Sequence, residues 1–206
     1  MKSNQEAMRA YFEALPVYTP AFKSTVDSVV AALGDSVKKK KGQVVEELTL
    51  HNKDFWFLKS GFLKEMYKNP IEKEDSLFSL IPPLSIFVNE DTLFNDQHPQ
   101  HYYTTYSDVE FIRFKHEDFE RINAKHPLLQ ILYLSGTAEI QKNRRARLIM
   151  LRMRRTIDRV EWVKTNRPDL YKHMDRVTLA QYIGVSRAGL SHGHKLCIDG
   201  LGNGCR

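Results

Sequence analysis

The chain has 206 residues, 42% of them hydrophobic, with 31 Lys and Arg against 25 Asp and Glu. That length provides one large domain or two small ones with ample core, and no apolar run is long enough for a membrane span. The N-terminal MKSNQEAMRAYFEAL lacks an apolar signal core, so a soluble cytoplasmic chain without a membrane partner is expected, and Cys197 and Cys205 read as free thiols near one end, not as a staple or a cluster's ligands.

Residues 3–15 and 20–34 carry helical spacing, separated by Pro16 and Pro20 and closed by Gly34. The period then changes. Lys38 to Gln43 reads as a polar turn. Short aromatic and β-branched runs follow at Val44–Val45, Asp54–Lys59, Gly61–Tyr67, Ser76–Ile81, Ser85–Val88, His101–Tyr106 and Val109–Phe114. Evenly spaced short strands of this kind predict an antiparallel sandwich or roll.

From His116 the spacing is helical again. Glu117–Lys125 predicts one helix, stopped at Pro127, and a long helix starts at Leu128. Leu128, Ile131, Leu132, Ser135 and Ala138 form a stripe on it. Such a stripe must be buried, either on the chain's own β-domain or on a twin helix from a second subunit, and the second implies a homodimer. Met153, Ile157, Val160 and Val163 mark one face of a further helix ending before Pro168.

Charge is unevenly placed. From Lys142 onward 15 Lys and Arg stand against 5 Asp and Glu, a net of +10, which leaves −4 for residues 1–141. A basic end on an acidic body is the electrostatic footprint of nucleic-acid binding, although a solvated helix surface also produces it.

The basic end contains Arg176–Lys195, RVTLAQYIGVSRAGLSHGHK. Thr178 and Gln181 stand in T-x-x-Q spacing, which predicts a capping box at a helix start. Gly184 suits the left-handed residue that closes that helix, and Ser186 can cap a second one with Arg187 pointing outward from its first turn. Val177, Ala180, Ile183, Val185 and Leu190 supply the apolar contacts. This is a helix-turn-helix pattern, whose second helix lies in the DNA major groove.

The order of elements resembles the Crp/Fnr regulators over about residues 25–195. The resemblance rests on Lys40-Lys-Gly-Gln43, on Phe57-Leu-Lys-Ser-Gly-Phe-Leu63 read as a strand–Gly–strand hairpin, and above all on Thr178–Lys195. It implies an α+β chain: an N-terminal antiparallel β-roll of the cyclic-nucleotide-binding type with flanking helices (1–126), a dimerisation helix (127–150) and an all-α helix-turn-helix end (151–206). It also implies double-stranded DNA, a second copy of the chain through residues 127–150, RNA polymerase and an unidentified small-molecule effector as partners. On this resemblance Thr178, Ser186, Arg187, Ala188, His192, Lys195 and Arg176 form the DNA-binding set, with Arg167 and Lys172 as further phosphate contacts. Arg187 would reach a guanine edge or a phosphate.

Two departures from the family accompany this. In its cyclic-nucleotide binders a glycine–glutamate pair and an arginine–serine pair hold the ribose and phosphate. Here Asn89 and Glu90 stand for the first pair, and Gln100 and His101 for the second. Without the arginine fork the phosphate has no bidentate partner, so the effector is not expected to be cAMP. The reading helix carries Ala188 and His192 where an acidic and a basic side chain are common, and Gly189 and Gly193 fall inside it. Beyond Lys195 too few residues remain for a β-wing. A dimeric sensor or interaction module that has lost DNA binding is therefore the alternative.

Catalysis is not expected. His98 and His101 stand in H-P-Q-H spacing on a predicted loop, poorly set to converge on a metal, and no Gly-rich phosphate loop, serine elbow or zinc motif appears. No catalytic residue, metal site or cofactor is assigned.

Overall fold

The computed structural model describes residues 3–34, 36–48, 53–68, 75–88 and 101–198. The chain divides into two compact units, Met1–Gln141 and Lys142–Arg206.

In the first unit helix α1 (Asn4–Glu13) begins at a complete capping box: the Ser3 hydroxyl accepts from the Glu6 amide at 3.1 Å, and Glu6 accepts from the Ser3 amide at 2.8 Å. Met8 and Phe12, one turn apart, are its buried face. A 3-10 turn at Pro20–Phe22 leads into α2 (Lys23–Ala31), which buries Thr25, Val26, Val29 and Val30. This helix is shorter than the 20–34 expected at both ends. Gly34 does not cap it; its amide donates to the Arg113 carbonyl at 3.1 Å and starts the first sheet contact.

Among the described residues seven strands follow: β1 (Ser36–Lys39), β2 (Phe55–Ser60), β3 (Leu63–Tyr67), β4 (Ser76–Ile81), β5 (Ser85–Phe87), β6 (His101–Thr105) and β7 (Val109–Phe114). They form two antiparallel sheets, β1-β7-β2-β5 and β4-β3-β6. The expected roll is present with three changes. The lysine run is partly strand, because β1 is an edge strand that pairs Val37 with Phe111 while Lys38 faces solvent, where edge lysines discourage further pairing. Val44 makes only an isolated bridge to Thr104, and Val45 enters a 3-10 turn at Glu46–Leu48. The Phe57–Leu63 segment is not a hairpin: β2 and β3 lie in different sheets, and the chain crosses between them at Gly61. There φ is +80°, and a Cβ would stand 2.2 Å from the Asp108 carbonyl oxygen, so only glycine fits.

The unbroken apolar run of β2 follows from covering both faces of the sheet. Trp56 and Leu58 point into the roll with Leu63, Phe87, Tyr103 and Phe111. Phe55 and Phe57 point the other way, against Met8, Phe12, Val29, Phe119 and Leu132 of the helices. Helix α3 (His116–Lys125) supplies Phe119 and Ile122 to that layer.

Helix α4 (Leu128–Leu151) is 24 residues long. The stripe predicted on it splits. Leu132 is fully buried in the core of its own unit and Leu128 packs against the same core, whereas Ile131 is 44% and Leu134 64% exposed. Ile131 and Ala138 of the predicted stripe are thus exposed, and Leu134, which lay outside it, joins them.

In the second unit every described element is helical: the end of α4, then α5 (Thr156–Asn166), α6 (Pro168–His173), α7 (Arg176–Ile183) and α8 (Arg187–Ile198). Val160, Val163, Leu170, Ala180, Ile183 and Leu190 are buried at its centre. Pro168 begins α6, a helix not anticipated, since proline's fixed φ and missing N–H suit a first helical turn.

Candidate nucleic-acid interface

Helix α7 starts at Asp175. Its carboxylate accepts from the Thr178 amide at 2.8 Å, and an acidic N-cap also suits the positive end of the helix dipole. Thr178 is therefore the third residue of the helix and not its cap. It is 4% exposed, and its hydroxyl donates to the Asp175 carboxylate at 3.3 Å.

The turn forms as its glycine requires. Gly184 sits at φ 72°, ψ 45°, with its amide donating to the Gln181 carbonyl at 3.2 Å and the Val185 amide to the Ala180 carbonyl at 3.0 Å. These two bonds make a Schellman close, which a side chain at 184 would strain. Ser186 then caps α8, accepting the Gly189 amide at 3.0 Å.

Spacing on α8 sorts its residues into two faces. Leu190 and Gly193 are buried. Arg187, Ser191 and Lys195 recur at every fourth residue on the exposed side, with Ala188 and His192 in the adjacent row. Ser186, at the start of the helix, and Arg176, in the first turn of α7, are exposed as well. The buried glycine has a packing reason: a Cβ at Gly193 would lie 3.1 Å from Thr156 Cγ2 and 3.2 Å from Val160 Cγ2, so its absence lets α8 lie close on α5.

Of the flanking cations, Lys172 is exposed, but Arg167 is committed elsewhere. Its guanidinium donates to Asp169 through Nε at 3.1 Å and Nη2 at 2.9 Å, and its side chain is 11% exposed. Burial would raise the Asp169 carboxyl, but the bonds and charge of Arg167 outweigh it and hold the group below its ordinary value.

Two arginines that sequence reasoning passed over complete the motif. Arg147, from α4, donates through Nε to the Tyr182 carbonyl at 2.9 Å and through Nη2 to the Gln181 carbonyl at 3.3 Å, with its guanidinium 5.1 Å from the Tyr182 ring centroid. Burial pulls it below the usual arginine value, though an arginine stays charged in such a site. Arg159, from α5, donates to the Met153 carbonyl at 2.9 Å and to the Gly184 carbonyl at 3.1 Å. Cations at a helix C-terminus contribute about 1 kcal/mol each when partly buried. No local motif announces them, because their partners lie 35 and 25 residues away.

Of the four positions assigned to an effector pocket, Asn89, Glu90 and Gln100 lie outside the described residues. His101 opens β6. Its Nδ1 is 3.5 Å from Glu65 Oε1, and the Tyr103 hydroxyl donates to that oxygen at 3.4 Å. Phe78 and Tyr67 meet the His101 ring edge-on, with centroids 4.6 and 5.2 Å away. The Glu65 side chain is 4% exposed, so a phosphate set beside His101 would meet a buried carboxylate.

No protein-family model matches the sequence, and no curated protein matches it. Solved structures do. The chain is similar to a cyclic nucleotide-binding domain containing protein from Listeria monocytogenes EGD-e, at 12% identity over 96% of this chain and 92% of that one, with a TM-score of 0.65. It is similar to the c-di-GMP responsive global regulator CLP of Xanthomonas campestris, at 15% identity over 89% and 96%, with a TM-score of 0.64. A CooA mutant from Carboxydothermus hydrogenoformans gives 11% identity over 91% and 84%, with a TM-score of 0.61. These likenesses establish the fold: an α+β chain with the β-roll and helical C-terminal region of Crp/Fnr-type regulators.

Proposed function

We propose that this chain is a homodimeric, non-enzymatic, cytoplasmic DNA-binding transcription regulator of the Crp/Fnr type, with α8 entering the major groove. The observation that carries the reading is the pairing of a closed turn at Gly184 with an exposed row of Arg187, Ser191 and Lys195 on the helix that Ser186 caps. Arg187, Ala188 and His192 face base edges in this reading. Ser186, Lys195 and Arg176 contact phosphates, giving the salt-dependent part of the affinity. Thr178 drops out as a direct contact in this reading because it is buried and its hydroxyl is bonded to Asp175. Two such helices on a dimer call for a pseudo-palindromic operator, and RNA polymerase is the downstream partner.

Dimerisation rests on the exposed row of Ile131, Leu134 and Ala138 on α4, a spacing of three then four that suits a twin helix. The effector remains an unidentified small molecule. A buried carboxylate beside His101 speaks against cAMP, whose phosphate needs cationic partners.

Gly193 favours this reading over the module that has lost DNA binding. In that alternative it is a defect in the reading helix; packed on Thr156 and Val160, it is a fitted contact.

Fluorescence anisotropy with the promoter of the chain's own operon tests the proposal. Sequence-selective binding that weakens with Arg187→Ala is the expected result. Absence of binding at every salt concentration overturns it, and micromolar affinity for cAMP by calorimetry overturns the effector statement.

A further inference from the structure

We infer that Arg147 and Arg159 are positioning residues for sequence recognition: together they hold the carbonyl end of α7 and the turn after it, and so set where α8 points. The inference rests on the DNA-binding reading above and assigns neither arginine to DNA.

The accounting of backbone acceptors carries it. A helix end leaves its last carbonyls without intrahelical donors. Here the Ala180 carbonyl takes the Val185 amide, and the Gln181 carbonyl takes the Gly184 amide and Arg147 Nη2. The Tyr182 carbonyl takes Arg147 Nε at 2.9 Å, and the Gly184 carbonyl takes Arg159 Nη1 at 3.1 Å. Side chains from two other helices therefore finish what the Schellman close begins. Arg159 also donates to the Met153 carbonyl, so one guanidinium ties the chain entering α5 to the turn.

Geometry makes the arginine fork specific. Arg147 meets two successive carbonyls from two nitrogens while its guanidinium carbon lies over the Tyr182 ring, 5.1 Å from the centroid. A lysine carries the same charge but is a point donor and cannot reproduce that arrangement. Because the turn contains only Gly184 and Val185 before the Ser186 cap, a small shift of the α7 end is passed directly to α8. Direct readout of bases depends on such placement, whereas phosphate attraction tolerates it poorly placed.

The test uses the full chain and Arg147→Lys, Arg147→Ala and Arg159→Lys. Selection from a randomised duplex library with the wild type supplies the preferred duplex, and a scrambled duplex of equal length is the control. Both lysine variants should bind the preferred duplex about ten-fold more weakly and keep their affinity for the scrambled one, with the salt slope intact. Amide exchange over residues 181–186 should quicken in the same variants, with or without DNA. Wild-type selectivity and wild-type exchange in Arg147→Lys overturn the inference. If the wild type selects no duplex while exchange still quickens, the clamp stands and the DNA-binding reading falls.

Discussion

Gly184 sits against Leu151: a Cβ built on the glycine would lie 2.8 Å from Leu151 Cδ2. The turn of the helix-turn-helix is thus seated on the last residue of the long helix. Two costs follow for Gly184→Ala, left-handed backbone strain and the collision. Together they should lower the unfolding free energy by about 2 kcal/mol. Leu151→Ala in the same background removes the collision but not the strain, so urea melts of the double variant should recover only part of the loss. Full recovery would show that the backbone conformation carries no cost.

The two glycines of α8 should respond oppositely to substitution. A Cβ at Gly189 approaches only Ser186 Oγ at 3.3 Å and Val185 Cβ at 3.7 Å, and α8 gains about 1 kcal/mol in helix propensity from alanine. Gly189→Ala should stabilise by about 0.5 kcal/mol after the cap adjusts. Gly193→Leu has no room beside Thr156 and Val160 and should cost about 2 kcal/mol or more. Chemical denaturation of the two variants checks both signs.

Lys59 and Glu110 give the first unit a pH dependence. Lys59 Nζ lies 3.0 Å from Glu110 Oε1 and 3.0 Å from Asn4 Oδ1, joining β2, β7 and α1. Burial raises the Glu110 carboxyl, but the hydrogen bond and charge of Lys59, with Lys38 behind it, bring it below its ordinary value. A folded value below the unfolded one means stability that is present above about pH 4.3 and lost as pH falls through the folded value. Lys59→Met should therefore cost about 1–2 kcal/mol at pH 7 and progressively less on acidification below about pH 5. A difference that stays constant down to pH 3 would exclude Glu110 as the cause.

How much of this was legible in the sequence depends on the range of the determining contact. The Gly184 turn and the Ser186 cap are local events, and spacing alone located them. Thr178 and Asp175 are both able caps, and the choice was made by burial of Thr178, which no local pattern contains. β1 was hidden because only Val37 packs inward among lysines, and an edge strand of four residues leaves too short an alternation. Arg147 and Arg159 looked like surface charge because a guanidinium that binds distant carbonyls has no spacing rule. On α4 the helical period was right but the stripe divides: Leu128 and Leu132 are claimed by Phe55, Phe119 and their neighbours, so the row left exposed is Ile131 and Ala138 with Leu134 between them.

That choice of row makes the oligomeric state testable without DNA. Leu134 is 64% exposed and Ile131 44%, whereas Leu132 is fully buried in its own unit. Leu134→Glu places a carboxylate on the proposed twin-helix seam, twice in each dimer. It should weaken self-association by about 100-fold, the equivalent of about 3 kcal/mol, and leave the circular dichroism melt of the roll unchanged. Leu132→Glu should instead unfold the first unit, because the charge would enter a packed core. Sedimentation equilibrium with the wild type as a dimer and Leu134→Glu as a monomer is the expected pair of results. A Leu134→Glu protein that stays dimeric would remove this row of α4 from the proposed interface.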